Sequence, residues 1–283
     1  MKKLAIVTDS ASGISNEYAK DHDVIILPMT VIIDGVAYRE GVDATIEEIY
    51  EKLVVSGEGA KTSQPTIGEF IQVYEEIEQD ESYEAVIAIH ASSELTGTYQ
   101  SSLSASQECS KPALVIDSST GSYPLHKMIE LAVESRESDE SLEALGKRIQ
   151  YVIDNSQLYI LPKSFNQMRK SGRVSASQSM LASLLNIQIQ LEFEAGKIVI
   201  GEKVRTKRKM AKLVMDKLER HVAEDSIKTI AVLYAGTKSL TDEWVEKLKE
   251  RFNSVDLVFH PFVPVAGVHT GHGTVAFSFV KGL

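Results

Sequence analysis

The sequence predicts an α/β protein in two parts, a parallel-sheet domain over 1–153 and a mixed-sheet domain over 154–283. Short apolar runs alternate with amphipathic stretches through the first half, as in βαβ units that place helices on both faces of a parallel sheet in a three-layer α/β/α arrangement. Three of those runs end in hydroxyl- and carboxylate-bearing residues, "TDSAS" at 8–12, "HASSE" at 90–94 and "DSST" at 117–120. Ligands of such sheets bind beyond the carboxyl ends of the strands, so these ends form one candidate rim. After 153 the texture changes: "NIQIQLEFEAGKIVIGEKV" has period-two alternation and turns at "EAGK", a hairpin and therefore an antiparallel element.

The elements follow in order. "LAIVTDS" (4–10) reads as a strand, "ISNEYAKDH" as a short helix, "DVIILPMTVII" as one strand and "TIEEIYEKLVV" (45–55) as a helix. Pro65 and Thr66 mark the start of a helix over 66–79, followed by the strand "EAVIAIH" (84–90), the helix "TGTYQSSLSASQEC" and the strand "ALVIDS" (113–118). Residues 121–155 carry apolar positions at helical spacing, with the charged "ESRESDES" as a surface joint between two helices. The second part opens with the strand "SQLYIL" and a polar helix before the hairpin. It then reads helix 206–221, strand 228–236, helix 240–252, strand "VDLVFH" and strand 274–280. Parallel and antiparallel signals coexist there, which predicts a two-layer α/β domain with a mixed sheet and helices mainly on one face.

Composition narrows the function. With 43% hydrophobic and 25% charged residues, the 283-residue chain has the make-up of a soluble globular protein with a sizeable core. A net charge of −10 argues against binding nucleic acid or anionic membrane through bulk charge, so any anion site must be local. The single cysteine, Cys109, excludes an intramolecular disulfide and cysteine-based zinc or iron–sulfur sites, and a reducing cytoplasm is the expected compartment. In "MKKLAIVTDS" the apolar run stops at Val7, too soon for a signal peptide, and "VIILPMTVII" (24–33) is half the length of a membrane span.

Four constellations could carry chemistry. "GVHTGHGT" (267–274) sets His269 and His272 three apart among glycines 267, 271 and 273, which predict an irregular loop. Spacing alone leaves a metal pair, a catalytic base, a ligand-holding donor and a plain polar loop as readings; the loop lacks an acidic residue to complete a coordination shell, and the glycines suit close approach of a ligand to backbone. In "AKTSQPTIGEF" (60–70) Thr62 and Ser63 are expected just before a helix start, as an anion seat or an ordinary cap. Ser92 and Ser93 of "SSELTGTYQS" end a strand without the GxSxG of a nucleophile elbow. A Ser93–His269 dyad oriented by Asp9 or Asp117, acting as an acyl or phosphoryl hydrolase or transferase, is the enzymatic alternative. The basic runs "MRKSGR" and "KVRTKRKMAK" place Arg173 and Arg205 at element boundaries, where a guanidinium can meet an oxyanion bidentately.

Together these motifs carry a resemblance. "TDSAS", "TSQPT", "SSELTGTYQSS", "VIDSST", "SGRVS" with "LLNI" behind it, "KVRTKRK" and "GVHTGHGT" occur in the order seen in the DegV family, and the sequence resembles those bacterial fatty-acid-binding subunits of fatty-acid kinase over nearly its whole length. The resemblance implies a two-domain DegV-like fold with a long-chain fatty acid between the domains, its carboxylate at the mouth, and no cofactor. It implies that a separate ATP-dependent kinase subunit phosphorylates the carboxylate to an acyl phosphate for phospholipid synthesis, the binding subunit performing no chemistry alone and touching the membrane only transiently. By motif the carboxylate contacts would be Thr62, Ser93 and His269, with Ser63, Ser92 and Arg173 in support and Arg205 serving the kinase-facing surface. Burying roughly 15 methylenes at about 0.8 kcal/mol each gives on the order of 12 kcal/mol before ordering costs. An unpaired carboxylate would cancel several kcal/mol of that, so polar groups must converge on the head. The sequence departs from the family pattern at Tyr123–His126, at Pro162–Gln167, at Gln188 and Ile189, and at His272, which stands where proline is usual and is expected to be peripheral.

Overall fold

Alternate residues of the first strand point to opposite sides, and both sides are buried. The computed structural model describes residues 3–56, 59–138, 140–163, 165–175 and 187–283. Strands β1 (Lys3–Asp9), β2 (Val24–Leu27), β6 (Tyr83–His90) and β7 (Ala113–Asp117) form a parallel sheet in the order β2-β1-β6-β7. Ala5 and Val7 pack with Phe70 and Tyr74 of α3 (Ile67–Gln79) and Ala105 of α4 (Thr98–Ser106), while Ile6 faces the larger core with α5 (Tyr123–Arg136) and α6 (Leu142–Asn155). Helices therefore cover both faces, as the apolar strands require.

The second sheet is mixed. Its order is β10-β9-β8-β13-β11-β12, built from β8 (Ser156–Leu161), β9 (Gln188–Glu194), β10 (Lys197–Val204), β11 (Thr229–Tyr234), β12 (Asp256–Pro261) and β13 (Val275–Val280). Among its described strands β11 and β12 pair in parallel and the other strand pairs are antiparallel. Val275, Phe277 and Phe279 of β13 pack under α8 (Lys207–Glu224) and α9 (Asp242–Arg251), whereas Ala276 and Val280 face the larger core. Between the two sheets lies α5, buried at Leu125, Met128, Ile129 and Ala132, because its apolar residues face both layers. The hairpin turn falls at Ala195 and Gly196, both at positive φ (48° and 80°), the geometry that matches the twist of its strands.

Three expectations are corrected. "DVIILPMTVII" is two strands in different sheets: β3 (Thr30–Ile33) leaves the parallel sheet and joins β4 (Val36–Arg39) and β5 (Lys61–Ser63) in a three-stranded antiparallel sheet. Pro28 lacks an N–H, and the next residue's backbone is satisfied outside both sheets, Met29 N–H donating to Ser10 Oγ at 2.9 Å and Met29 O accepting from Glu40 N–H at 2.9 Å. Thr62 and Ser63 lie in β5, Thr62 opposite Val31, instead of flanking the helix start; Thr66 is the N-cap of α3, with a capping box to Glu69. The "GVHTGHGT" segment is not wholly a loop, since Pro264–Thr270 forms a short helix, α10, with His269 in its last turn. Gly271 and Gly273 (φ 94° and 91°) make the loop that follows. Among the described residues the remaining α-helices are α1 (Asn16–Asp21), α2 (Ile46–Ser56) and α7 (Phe165–Ser171). Leu184, Leu185 and Asn186 of "LLNI" lie outside the described residues.

Candidate functional site

The carboxyl ends of the parallel strands face the start of α10 across a crevice of about 400 Å³, a size usual for a small-molecule site. One part of its wall is apolar, with Met29, Leu158, Ile160, Phe193, Ile198 and Phe262 contributed by both layers. Polar groups gather on another part: Thr62, Ser63, Gln64, Thr96, Arg173 and His269.

Within that polar part the Thr62 hydroxyl lies 2.9 Å from His269 Nε2. Strand β5 brings in the first and the last turn of α10 the second, from sequence positions 207 apart. Burial holds the imidazole at about 4, and the charge of Arg173 pushes it the same way, so His269 is neutral at pH 7. A neutral imidazole and a hydroxyl can each direct a hydrogen bond at an oxyanion, and a bound anion would draw a proton onto the histidine. Arg173 is exposed on the crevice rim, its Nη1 donating to Ser171 O at 2.7 Å.

Gln64 is a member that spacing did not single out. Its Oε1 accepts the Gly97 N–H at 2.7 Å and its Nε2 donates to Ser101 Oγ at 3.1 Å, which fastens the end of β5 to the start of α4. A Cβ on Gly97 would stand 2.6 Å from that Oε1, so the approach requires glycine there. This clamp sets Thr96 beside Thr62's segment on the crevice wall. Asp9 organises the neighbouring strand ends, its Oδ1 accepting Ala11 N–H at 2.9 Å and its Oδ2 accepting Ala91 N–H at 3.1 Å.

Other predicted residues go elsewhere. Ser93 is exposed and donates to Asp117 Oδ2, so the hydroxyl of "SSELTGT" that reaches the crevice is Thr96. Ser92 is buried and donates to Gly196 O at 2.7 Å, fixing the hairpin turn to the first sheet's rim. The Ser93–His269 dyad is therefore not assembled: Asp117 holds Ser93, and Asp9 lies 3.1 Å from Nδ1 of His90, the first residue of "HASSE". Arg205 is exposed between β10 and the N-cap Thr206, outside the crevice wall. His272 packs edge-on to Tyr50, ring centroids 6.2 Å apart, and also lies outside that wall. Among the described residues no group of three or more His, Cys, Asp or Glu side chains could hold a metal ion, and no helix is long and apolar enough to cross a membrane.

Comparison with known proteins places this geometry among relatives. A family model described as "Uncharacterised protein, DegV family" matches residues 3–282. A DegV domain-containing protein of Staphylococcus aureus is 32% identical over 99% of this chain and 100% of its own, and one of Listeria innocua is 30% identical over 98% of each. Among solved structures, the fatty acid binding DegV family protein of Streptococcus agalactiae superposes with a TM-score of 0.91 at 27% identity over 100% of both chains. DegV of Bacillus subtilis, a fatty acid binding protein, superposes with a TM-score of 0.88 at 26% identity over 99% of this chain and 100% of that one.

Proposed function

The chain belongs to the DegV family, and from that premise we propose that it binds a long-chain fatty acid in the crevice, carboxylate toward Thr62 and His269, and presents it to an ATP-dependent kinase. The observation that carries this reading is the Thr62–His269 pair at 2.9 Å on a wall that is otherwise largely apolar. The apolar part takes the acyl chain, whose burial supplies affinity. The polar part meets the head group, with Thr96 contributing the hydroxyl that the family motif suggested for Ser93, and with Arg173 on the rim balancing the carboxylate's charge. Solved relatives described as fatty acid binding proteins support the ligand class.

In this reading the protein has no catalysis of its own; it works in the cytoplasm, and the domains divide at 153/154. The kinase binds ATP and transfers its terminal phosphoryl group to the carboxylate, releasing ADP, and exposed Arg205 belongs to the surface facing it. Reconstitution tests the assignment: acyl phosphate should form only when protein, fatty acid, ATP and a DegV-associated kinase are combined. Hydrolysis of an acyl ester by the protein alone, with covalent labelling of Ser93 by a fluorophosphonate, would replace it with the enzymatic alternative.

A further inference from the structure

Glu40 is a buried carboxylate outside the crevice wall. Its Oε1 accepts the Val265 N–H at 2.7 Å and its Oε2 accepts from Ser10 Oγ, joining the end of β4, the loop after β1 and the start of α10. Pro264 has no N–H to satisfy, and the N–H groups of Ala266 and Gly267 reach Val263 O at 2.9 and 3.0 Å. Val265 N–H is the first-turn donor left over, and the N-cap residue, Val263, has no side chain to accept it. Glu40 supplies that acceptor from a distant part of the sequence and sets a carboxylate at the positive end of the helix.

A seven-residue helix is too short to hold its own place, so its anchors decide where it lies. Tyr50 of α2 donates to Phe262 O at 2.6 Å, and its hydroxyl oxygen would stand 2.3 Å from a Cβ on Gly267, so the helix rests against that ring. Thr62 meets its far end. Resting on the fatty-acid reading of the crevice, we propose that Glu40 is a positioning residue: by pinning the start of α10 it sets His269, one turn along, against Thr62 and so against the ligand's carboxylate. Its surroundings keep it under electrostatic tension. Burial and the charge of Asp9, at the end of β1, push its carboxyl up to about 7, and Tyr50 faces it from α2.

The test follows the His269 imidazole by NMR in ligand-free, histidine-labelled protein, where the native titration lies at about 4. Glu40→Ala leaves Val265 N–H without its acceptor; the His269 midpoint should rise by about one pH unit or more as the ring loses its buried seat, and fatty-acid Kd should rise about tenfold. Glu40→Gln keeps an acceptor for Val265 and should restore Kd to within about threefold of the wild type. His260 of β12, also held at about 4 by burial and by neighbouring His126, serves as internal control and should not move. Should Glu40→Ala not fold, Glu40→Asp withdraws the carboxylate by one methylene and should shift His269 in the same direction. An unmoved His269 in Glu40→Ala, or in Glu40→Asp where Glu40→Ala does not fold, overturns the proposal, even if the variant is less stable. Wild-type protein that binds no fatty acid would overturn the reading of the crevice, while the His269 titration would still decide the role of Glu40.

Discussion

Thr62→Val keeps a branched side chain but removes the hydroxyl 2.9 Å from His269 Nε2. In the proposed fatty-acid complex Thr62 and His269 would each give the carboxylate a charge-assisted hydrogen bond, about 1.5–3 kcal/mol apiece. Thr62→Val and His269→Ala should therefore each weaken binding by about 10- to 100-fold. The acyl chain's contribution, on the order of 12 kcal/mol before ordering costs, is untouched, so both variants should still bind measurably. Because the two groups also bond each other, their effects should not add. The double variant should lose less than the sum of the singles, with a coupling of about 0.5–3 kcal/mol. Displacement of a fluorescent fatty acid, at one pH and one temperature, measures all four affinities. Wild-type affinity in either single variant, or additivity within about 0.3 kcal/mol, would refute the pairing.

Two further predictions concern stability. Gly267→Ala places a Cβ 2.3 Å from Tyr50 Oη inside α10, and should destabilise the protein by about 1–3 kcal/mol in urea denaturation; Tyr50→Phe in the same chain should recover part of that loss, and no loss in the single variant would contradict the packing described. Between pH 4.5 and 6.5 the unfolded chain should protonate His260 and His269, which titrate at about 4 when folded, while the folded chain alone should protonate Glu40, which titrates at about 7. Two protons favour the unfolded state and one the folded state, so these groups should make stability fall on acidification by about 1.4 kcal/mol per pH unit, and His272, shifted the same way as the other histidines, adds to the fall. Glu40→Gln removes the opposing proton and should steepen the slope; an unchanged slope in urea midpoints against pH would show that Glu40 does not titrate in this window.

Where periodicity governs, the sequence was readable. β13 alternates between two cores, and α5 sits between the sheets, as their patterns require. What pattern could not reveal depends on partners far away in the chain. The split of "VIILPMTVII" rests on Ser10 and Glu40 taking up the backbone of Met29, which no local window contains. The helical Gly267 looks like a loop signal until Tyr50 is seen against it. His269 and Thr62 were identifiable as polar groups in suitable company, and the fold brings them together. Ser93 and Thr96 are equivalent as letters in a hydroxyl-rich run; Asp117 captures the first, and the Gln64 clamp sets the second on the crevice wall.

The claim that this crevice is a fatty-acid site is tested most directly by native mass spectrometry of the protein purified from bacterial cells, with extraction and identification of any lipid. One long-chain fatty acid per chain, at lower occupancy in the Thr62→Val/His269→Ala double variant, is the predicted result. Wild-type protein that arrives without lipid, and takes up no fatty acid when it is offered, would contradict the account.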